Sequence, residues 1–317
     1  MKILFWGTPD FATPPLRALL EEGFDVVGVV TQPDKPQGRS RSTLVASPVK
    51  QIALEEGLPV LQPEKPRGDA FVEAMRALEP DISVVVAYGH ILPRVVIDLP
   101  PRGTLNIHAS LLPALRGAAP IQAAIRDGLA ETGITIMRMV PALDAGPMLF
   151  KATTGIQPDE TYGELQLRLS ELGASAIVET LALVGTGAAT EVPQRDEDAT
   201  FAPKIEREMT RVDWTRPAAV VARHVRAYDP RPGAFTAREG LEVKLFGAQA
   251  LPADALPADA IVGRAPGTVL ATDAGGIVVA CGEGVVRITD AQPAGKRRLT
   301  TAEWARGRGV AVGDRLG

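Results

Sequence analysis

The chain has 317 residues, 45% of them hydrophobic and 23% charged, enough for two domains of roughly 100–200 residues that each bury a core. This composition excludes a disordered or collagen-like chain, and the single cysteine, Cys281, excludes a disulfide framework or a cysteine-rich zinc site. The net charge of −4 conceals an asymmetry: residues 1–203 carry 17 Lys and Arg against 25 Asp and Glu (−8), and residues 204–317 carry 17 against 13 (+4).

The opening run Lys2–Trp6 is apolar and stops at Gly7-Thr8-Pro9-Asp10, reading as a short strand and not as a signal-peptide core. No later run approaches the roughly 20 apolar residues of a membrane span, so a cytoplasmic protein is expected. Phe11–Glu22 has apolar residues at helical spacing and is closed by Gly23. Strand-like runs follow at Asp25–Val30, Pro59–Leu61 and Ile82–Ala87, with a helical segment at Phe71–Leu78 before the last. Thr104–His108 reads as a strand, Ile121–Asp127 as a helix and Ile134–Val140 as a β-branched strand. Leu165, Leu169, Leu172, Ala176 and Leu181 then mark one long amphipathic helix. Apolar strands separated by helices predict an α/β fold, a doubly wound, Rossmann-like and mostly parallel sheet.

From Gly185 to about Lys204 the pattern breaks into Gly, Thr, Pro and charge, which places a linker there. The expected division is 1–189, a linker at 190–206, and 207–317. The second part opens with a helix at Ala218–Ala227 and continues with short strands at Leu241–Phe246, Gly267–Ala271, Gly276–Ala280 and Val285–Thr289. Closely spaced strands without intervening helices predict a small OB-fold-like β-barrel. Its +4 balance suits phosphate backbones, or merely solubility. Between the second strand and the following helix, residues 31–48 are too polar and Pro-rich for regular structure, and Lys35, Arg39 and Arg41 make this loop basic. A loop of this length is either functional or a solvated excursion.

In an open α/β sheet, ligands bind beyond the carboxyl ends of the strands. The strand ending Asn106-Ile107-His108 presents two polar side chains on one face at that edge. Asn106 offers an N–H donor to a developing oxyanion, and His108 titrates near neutrality and can donate to it or move a proton. Asp144, in a Leu-Asp-Ala-Gly-Pro turn, is placed to orient the imidazole and favour its protonated form. A structural histidine is the alternative reading of His108, and it is the preferred one for His90 and His224. No His or Cys spacing indicates a metal site, and the first turn lacks two glycines of the dinucleotide fingerprint.

Asn106-Ile107-His108, Ser110-Leu111-Leu112-Pro113, Arg116–Gln122 and Asp144 together resemble the signature of the folate-dependent formyltransferase family. The segments Gly7–Phe11, Thr31–Pro36, Gly38-Arg39, Ser47–Lys50 and Val86–Gly89 narrow the resemblance to the branch acting on methionyl-tRNA. Val212–Trp214, Arg226-Ala227, Pro230 and Gln292–Lys296 extend it along essentially the whole chain. Three departures stand out: Ala109 where Gly is common, Arg231 where Trp is usual, and a loop at Gly38–Ser42 with fewer lysines.

The resemblance implies transfer of the formyl group of 10-formyltetrahydrofolate to the α-amino group of methionyl initiator tRNA, with no metal. Asn106 and protonated His108 would stabilise the tetrahedral oxyanion, and Asp144 would hold His108 and assist proton transfer. Ser110, Leu111, Leu112 and Pro113 would line the folate site beside Val86, Ala87 and Tyr88. Lys35, Arg39 and Arg41 would meet the tRNA acceptor end, and Lys204, Arg207, Lys296 and Arg297 its backbone. A monomer is expected. A sugar-nucleotide or glycinamide ribonucleotide formyltransferase is the alternative enzyme, and a non-catalytic nucleic-acid-binding module the alternative of a different class.

Overall fold

Residues 1–37, 43–252, 254–257 and 263–317 are described by a computed structural model of the chain. In chain order the first elements are β1 (Lys2–Gly7), α1 (Thr13–Glu21), β2 (Asp25–Val30), β3 (Lys35–Gln37), β4 (Thr43–Val45) and α2 (Pro48–Glu55). β5 (Val60–Leu61), α3 (Asp69–Arg76), β6 (Ile82–Val86), α4 (Arg94–Ile97), β7 (Thr104–His108) and α5 (Pro120–Asp127) follow. β8 (Glu131–Arg138), β9 (Met148–Gly155) and the long α6 (Tyr162–Thr186) come next. The strands form one seven-stranded sheet, ordered β5-β2-β1-β6-β7-β8-β9. The β5/β2, β2/β1, β1/β6 and β6/β7 pairs are parallel, and β8 turns antiparallel to β7.

The sequence explains this sheet directly. All five residues of β6 and the last five of β1 are buried, as parallel strands covered on both faces require. Leu4, Trp6 and Val85 pack with Val72 and Met75 of α3 and Val96 and Ile97 of α4 on one face. Ser170 of α6 donates to the Phe11 carbonyl at 2.7 Å.

The segment expected to lack regular structure instead carries a short antiparallel hairpin, with Lys35 opposite Val45 and Pro36 opposite Leu44. The motif residues at its base hold it. Asp34 accepts from Lys50 Nζ at 2.6 Å and Gln62 Nε2 at 2.8 Å, bonds that hold its carboxyl below the usual range. Thr31 and Ser47 share a hydroxyl hydrogen bond of 2.7 Å, and Ser47 also caps α2 by accepting from Lys50 N at 3.1 Å. Arg39 and Arg41 lie outside the described residues.

The later elements are α7 (Ala218–Ala227), β10 (Ala234–Arg238), β11 (Leu241–Ala250), β12 (Val269–Asp273), β13 (Gly276–Ala280), β14 (Val285–Pro293), β15 (Leu299–Thr300) and α8 (Thr301–Arg306). They build an antiparallel sheet ordered β10-β11-β14-β13-β12, with β15 on β14. Val221 and Val225 of α7 and Trp304 of α8 bury against Val243, Leu245, Ile277, Val279, Val286 and Ile288. Among the described residues β10 and β12 remain the ends of the path, so the sheet is open where a closed barrel was expected. The strands are long enough to cover one apolar core with the help of two helices, and that removes the need for edge closure.

Two compact units result. One comprises Met1–Gly117, Thr132–Thr154 and Gln166–Ala202; the other comprises Ala118–Glu131, Gly155–Leu165 and Pro203–Gly317. No helix among the described residues is long and apolar enough to cross a membrane.

Candidate active site

The carboxyl ends of β1, β2 and β6 are tied together by a polar clasp. The Tyr88 carbonyl accepts from Thr8 Oγ1 at 3.3 Å and from Gln32 Nε2 at 2.9 Å, and Gln32 N donates to Thr8 Oγ1 at 3.3 Å. Tyr88 itself turns its ring into the core beside Trp6, where burial pushes its hydroxyl up to about 12. Val86 is buried, and Ala87 is exposed with φ of 47°. Thus the 86–88 segment offers backbone and a methyl group to the edge, not an aromatic ring.

One strand over, β7 alternates Leu105 and Ile107 on one face with Asn106 and His108 on the other. Asn106 is half-buried, and its amide has no hydrogen-bond partner among the described residues. His108 is 5% exposed. Its Nε2 lies 3.1 Å from the Leu115 carbonyl, and a carbonyl only accepts, so the ring proton sits on Nε2. Nδ1 therefore faces Asp144 Oδ2, 3.7 Å away, as the open protonation position. Asp144 Oδ2 also accepts from the Gly117 N–H at 2.8 Å.

The sequence reading had Asp144 keep His108 protonated. Burial instead outweighs both the Asp144 charge and the Leu115 hydrogen bond, and lowers the imidazole below its ordinary value of 6.5. The folded site therefore favours the neutral imidazole.

Three residues with positive φ that are not glycine gather here: Ala87 (47°), Leu115 (60°) and Asp144 (47°). Such backbone is costly for side-chain-bearing residues and concentrates at working sites. Gly117, with φ of 122°, is required for a second reason: a Cβ there would lie 2.5 Å from the Ala202 carbonyl oxygen.

The expected folate-lining loop is only partly turned outward. Ser110 is 1% exposed and spends its hydroxyl on the Ala114 carbonyl at 2.6 Å; Leu112, fully buried, packs against Met137 and Met148. Leu111 and Pro113 are half-buried. Thr135, which the sequence reading missed, stands opposite His108 on β8 and fixes this loop. It donates to the Ser110 carbonyl at 2.7 Å and accepts from Leu112 N at 3.1 Å. Gln194 and Thr200 were missed as well, since neither carries a spacing that marks it in a single sequence; buried Arg116 stands in the family signature but was given no role there.

Lys35, at the described end of the hairpin, reaches Gln32 Oε1 at 2.8 Å. In the second unit Lys204, Lys296 and Arg297 are exposed and close no salt bridge among the described residues. Arg207 pairs with Glu242 and lies 5.4 Å over the Phe235 ring, which Arg211 also covers at 4.8 Å. Gln292–Gly295 line a cavity of about 350 Å³ with Glu242 and Lys244. No group of three or more His, Cys, Asp or Glu able to hold a metal occurs among the described residues.

Family comparisons agree with this architecture. Residues 1–181 match the formyl transferase model, and residues 204–309 match the formyl transferase C-terminal domain. A methionyl-tRNA formyltransferase of Geobacillus thermodenitrificans is 46% identical over 318 residues, covering 99% of this chain and 97% of that one. One from Aromatoleum aromaticum is 48% identical, covering 100% and 97%. The chain belongs to the methionyl-tRNA formyltransferase family. Among solved structures, HypX from Aquifex aeolicus in complex with tetrahydrofolic acid shares the fold, with a TM-score of 0.66 at 23% identity, covering 96% of this chain and 46% of that one.

Proposed function

We propose that this chain transfers the formyl group of 10-formyltetrahydrofolate to the α-amino group of methionyl initiator tRNA, giving N-formylmethionyl-tRNA. The observation that carries the reading is the partner-free Asn106 amide beside a buried His108–Asp144 pair, at the carboxyl edge of the sheet of a chain in this family.

The residues fit the folate co-substrate. Exposed Ala87 and half-buried Leu111 and Pro113 would offer apolar surface, and the main chain of 86–88 and 110–113 polar contacts, to the flat heteroaromatic ring. Ser110, Leu112 and Tyr88 contribute through their backbone, because their side chains are committed inward. The co-substrate supplies an activated formyl carbonyl.

As the methionine nitrogen bonds to that carbon, charge grows on the formyl oxygen, and the Asn106 N–H donates to it. The nitrogen must also shed a proton. Neutral His108 accepts it at Nδ1, and Asp144 stabilises the imidazolium that forms. As the oxyanion collapses, the bond from the formyl carbon to N10 breaks, and the same proton passes to N10, releasing tetrahydrofolate and restoring neutral His108. Of the two side chains Asp144 is the more exposed, 14% against 6%, so the proton enters and leaves past the carboxylate.

Lys35, Arg39 and Arg41 meet the acceptor end of the tRNA, and Lys204, Arg207, Lys296 and Arg297 track its phosphates. The open antiparallel sheet of the second unit, with α7 and α8 packed on it, serves as the platform for RNA. Residues 1–189 hold the formyl chemistry, 190–206 connect, and 207–317 bind RNA, in a cytoplasmic monomer. The test is formylation of charged initiator and elongator methionine tRNAs with 10-formyltetrahydrofolate. Strong preference for the initiator is expected. Equal rates on both, or transfer only to an amino sugar nucleotide, would overturn the reading.

A further inference from the structure

Residues 190–206 read as a linker by composition, yet their first part is stitched into the catalytic loops. Val192 and Met148 exchange two backbone hydrogen bonds of 2.8 Å. Leu115 N donates to Thr200 Oγ1 at 2.9 Å, Arg116 N to the Thr200 carbonyl at 2.9 Å, and Ala202 N to the Arg116 carbonyl at 2.8 Å. Val192–Ala202 is therefore a strap lying along two loops at once: the Asp144 turn, and the Leu115–Gly117 loop that holds His108 and Asp144.

Gln194 sits where those loops meet. Both hydrogens of its amide nitrogen are used, one on the Asp144 carbonyl and one on the Gly146 carbonyl, each at 2.8 Å. Its Oε1 accepts from Arg116 Nε at 3.0 Å, and because arginine only donates, this contact fixes the orientation of the amide. Arg116, 5% exposed, carries the chain on to Asp196 at 2.9 Å. Gln194 thus spans from the turn carrying Asp144 to the loop carrying the imidazole's partner, Leu115. The 3.7 Å between His108 Nδ1 and Asp144 Oδ2 is close to 1 Å longer than a hydrogen bond, so a small shift of either loop makes or breaks direct proton sharing.

We infer that Gln194 is a positioning residue that sets the separation of Asp144 from His108, and that the strap Val192–Ala202 belongs to the active-site framework. The inference rests on the reading of His108 and Asp144 as the working pair. Among the described residues Asp144 is the charged group that faces the imidazole; the guanidinium of Arg116 is turned to Gln194 and Asp196.

The test uses the full-length chain with Gln194→Ala and Gln194→Met, the second keeping the length of the side chain without its donors. Expected are a kcat lower by roughly 10–100-fold, the range for lost supporting hydrogen bonds at other sites, and KM values for folate and tRNA within about twofold of the parent. The acid limb of kcat should move to lower pH, because Asp144, no longer held beside the ring, raises its titration less. Nitrogen NMR of the imidazole reads the same shift without turnover, and with three histidines in the chain the signals are readily assigned. Parent-like kcat and titration in Gln194→Met overturn the inference. So does a lower melting temperature with an unmoved His108 titration, which is what a merely structural role gives. Retained activity in His108→Ala would instead sink the catalytic reading, while the NMR arm would still judge the positioning.

Discussion

Near β7 the His108 ring is buried beside Asp144 and a partner-free Asn106 amide, whereas in the second unit Lys204, Lys296 and Arg297 lie exposed and Arg207 stands over an aromatic ring. His108 is 5% exposed, while Arg207 stands 73% exposed above Phe235. The difference teaches where each kind of electrostatics is worth having. Donors aimed at a developing charge act strongly when water is excluded and the geometry is fixed beforehand. Charges that meet a polyanion act through counterion release, which needs exposure, not rigidity. Substitutions in the first unit should therefore appear in kcat, and those in the second in salt-dependent affinity.

The largest effect should come from β7. Asn106→Ala is expected to lower kcat by roughly 10²–10³-fold, and His108→Ala by at least as much, in initial-rate assays at saturating substrates. The two losses should not add, since the groups serve one step. Near-parental kcat in both variants would break the contrast at its stronger end.

Asp144→Asn comes next. Its amide oxygen still accepts from Gly117, but the charge that raises the His108 titration is gone, so the acid limb of kcat should move to lower pH. Loss of the stabilised imidazolium should reduce kcat by roughly 10²-fold, at the low end for proton-transfer groups. A limb that moves upward would show that Asp144 acts on His108 by something other than its charge.

In the second unit, Lys204→Ala, Arg207→Ala, Lys296→Ala and Arg297→Ala should leave kcat at saturating tRNA untouched. Each lost phosphate contact should shallow the log–log dependence of tRNA affinity on salt by about 0.9 on a duplex stem. Binding measured at several salt concentrations decides it, and an unchanged slope in the quadruple variant would reduce the basic surface to a solubility feature.

The smallest effect concerns pH and stability. Burial lowers both His108 and His224, so the folded state prefers neutral rings. Their contribution is fully present above the ordinary value of 6.5 and is lost as pH falls below it. The melting temperature of a His108→Gln, His224→Gln double variant should fall less steeply between pH 6.5 and 5.5 than that of the parent. Parallel curves would refute this.

Much of the first sheet was legible because its strands are short runs rich in Val, Ile and Leu between turn signals: Asp25–Val30 and Thr104–His108 lie where the pattern put them. β9 was not, because Met148–Gly155 mixes polar and apolar residues on a half-exposed edge. The hairpin β3–β4 was hidden by its proline and polar residues, and it depends on contacts at Asp34 and Ser47 with residues 16 and 3 positions away, plus Gln62. At the site, Asn106, His108 and Asp144 could be picked out by residue type and placement. The charge state of His108 could not, since it turns on how completely the ring is buried. Nor could Gln194, whose role exists only once two loops distant in sequence have been brought to it.

The stitching of Val192–Ala202 has a consequence for chain length. In an extended segment side chains alternate sides, so one residue added or removed just before Gln194 would turn its amide away from the Asp144 turn and displace it by roughly 3.3 Å. The stretch immediately upstream is different: Gly185, Thr186 and Gly187 are exposed, and neither glycine has a neighbour within 4 Å of where a side chain would begin. A fluorescent tag or spacer spliced at Gly187 should be tolerated, while a single-residue deletion six or seven positions later should silence the protein without unfolding it.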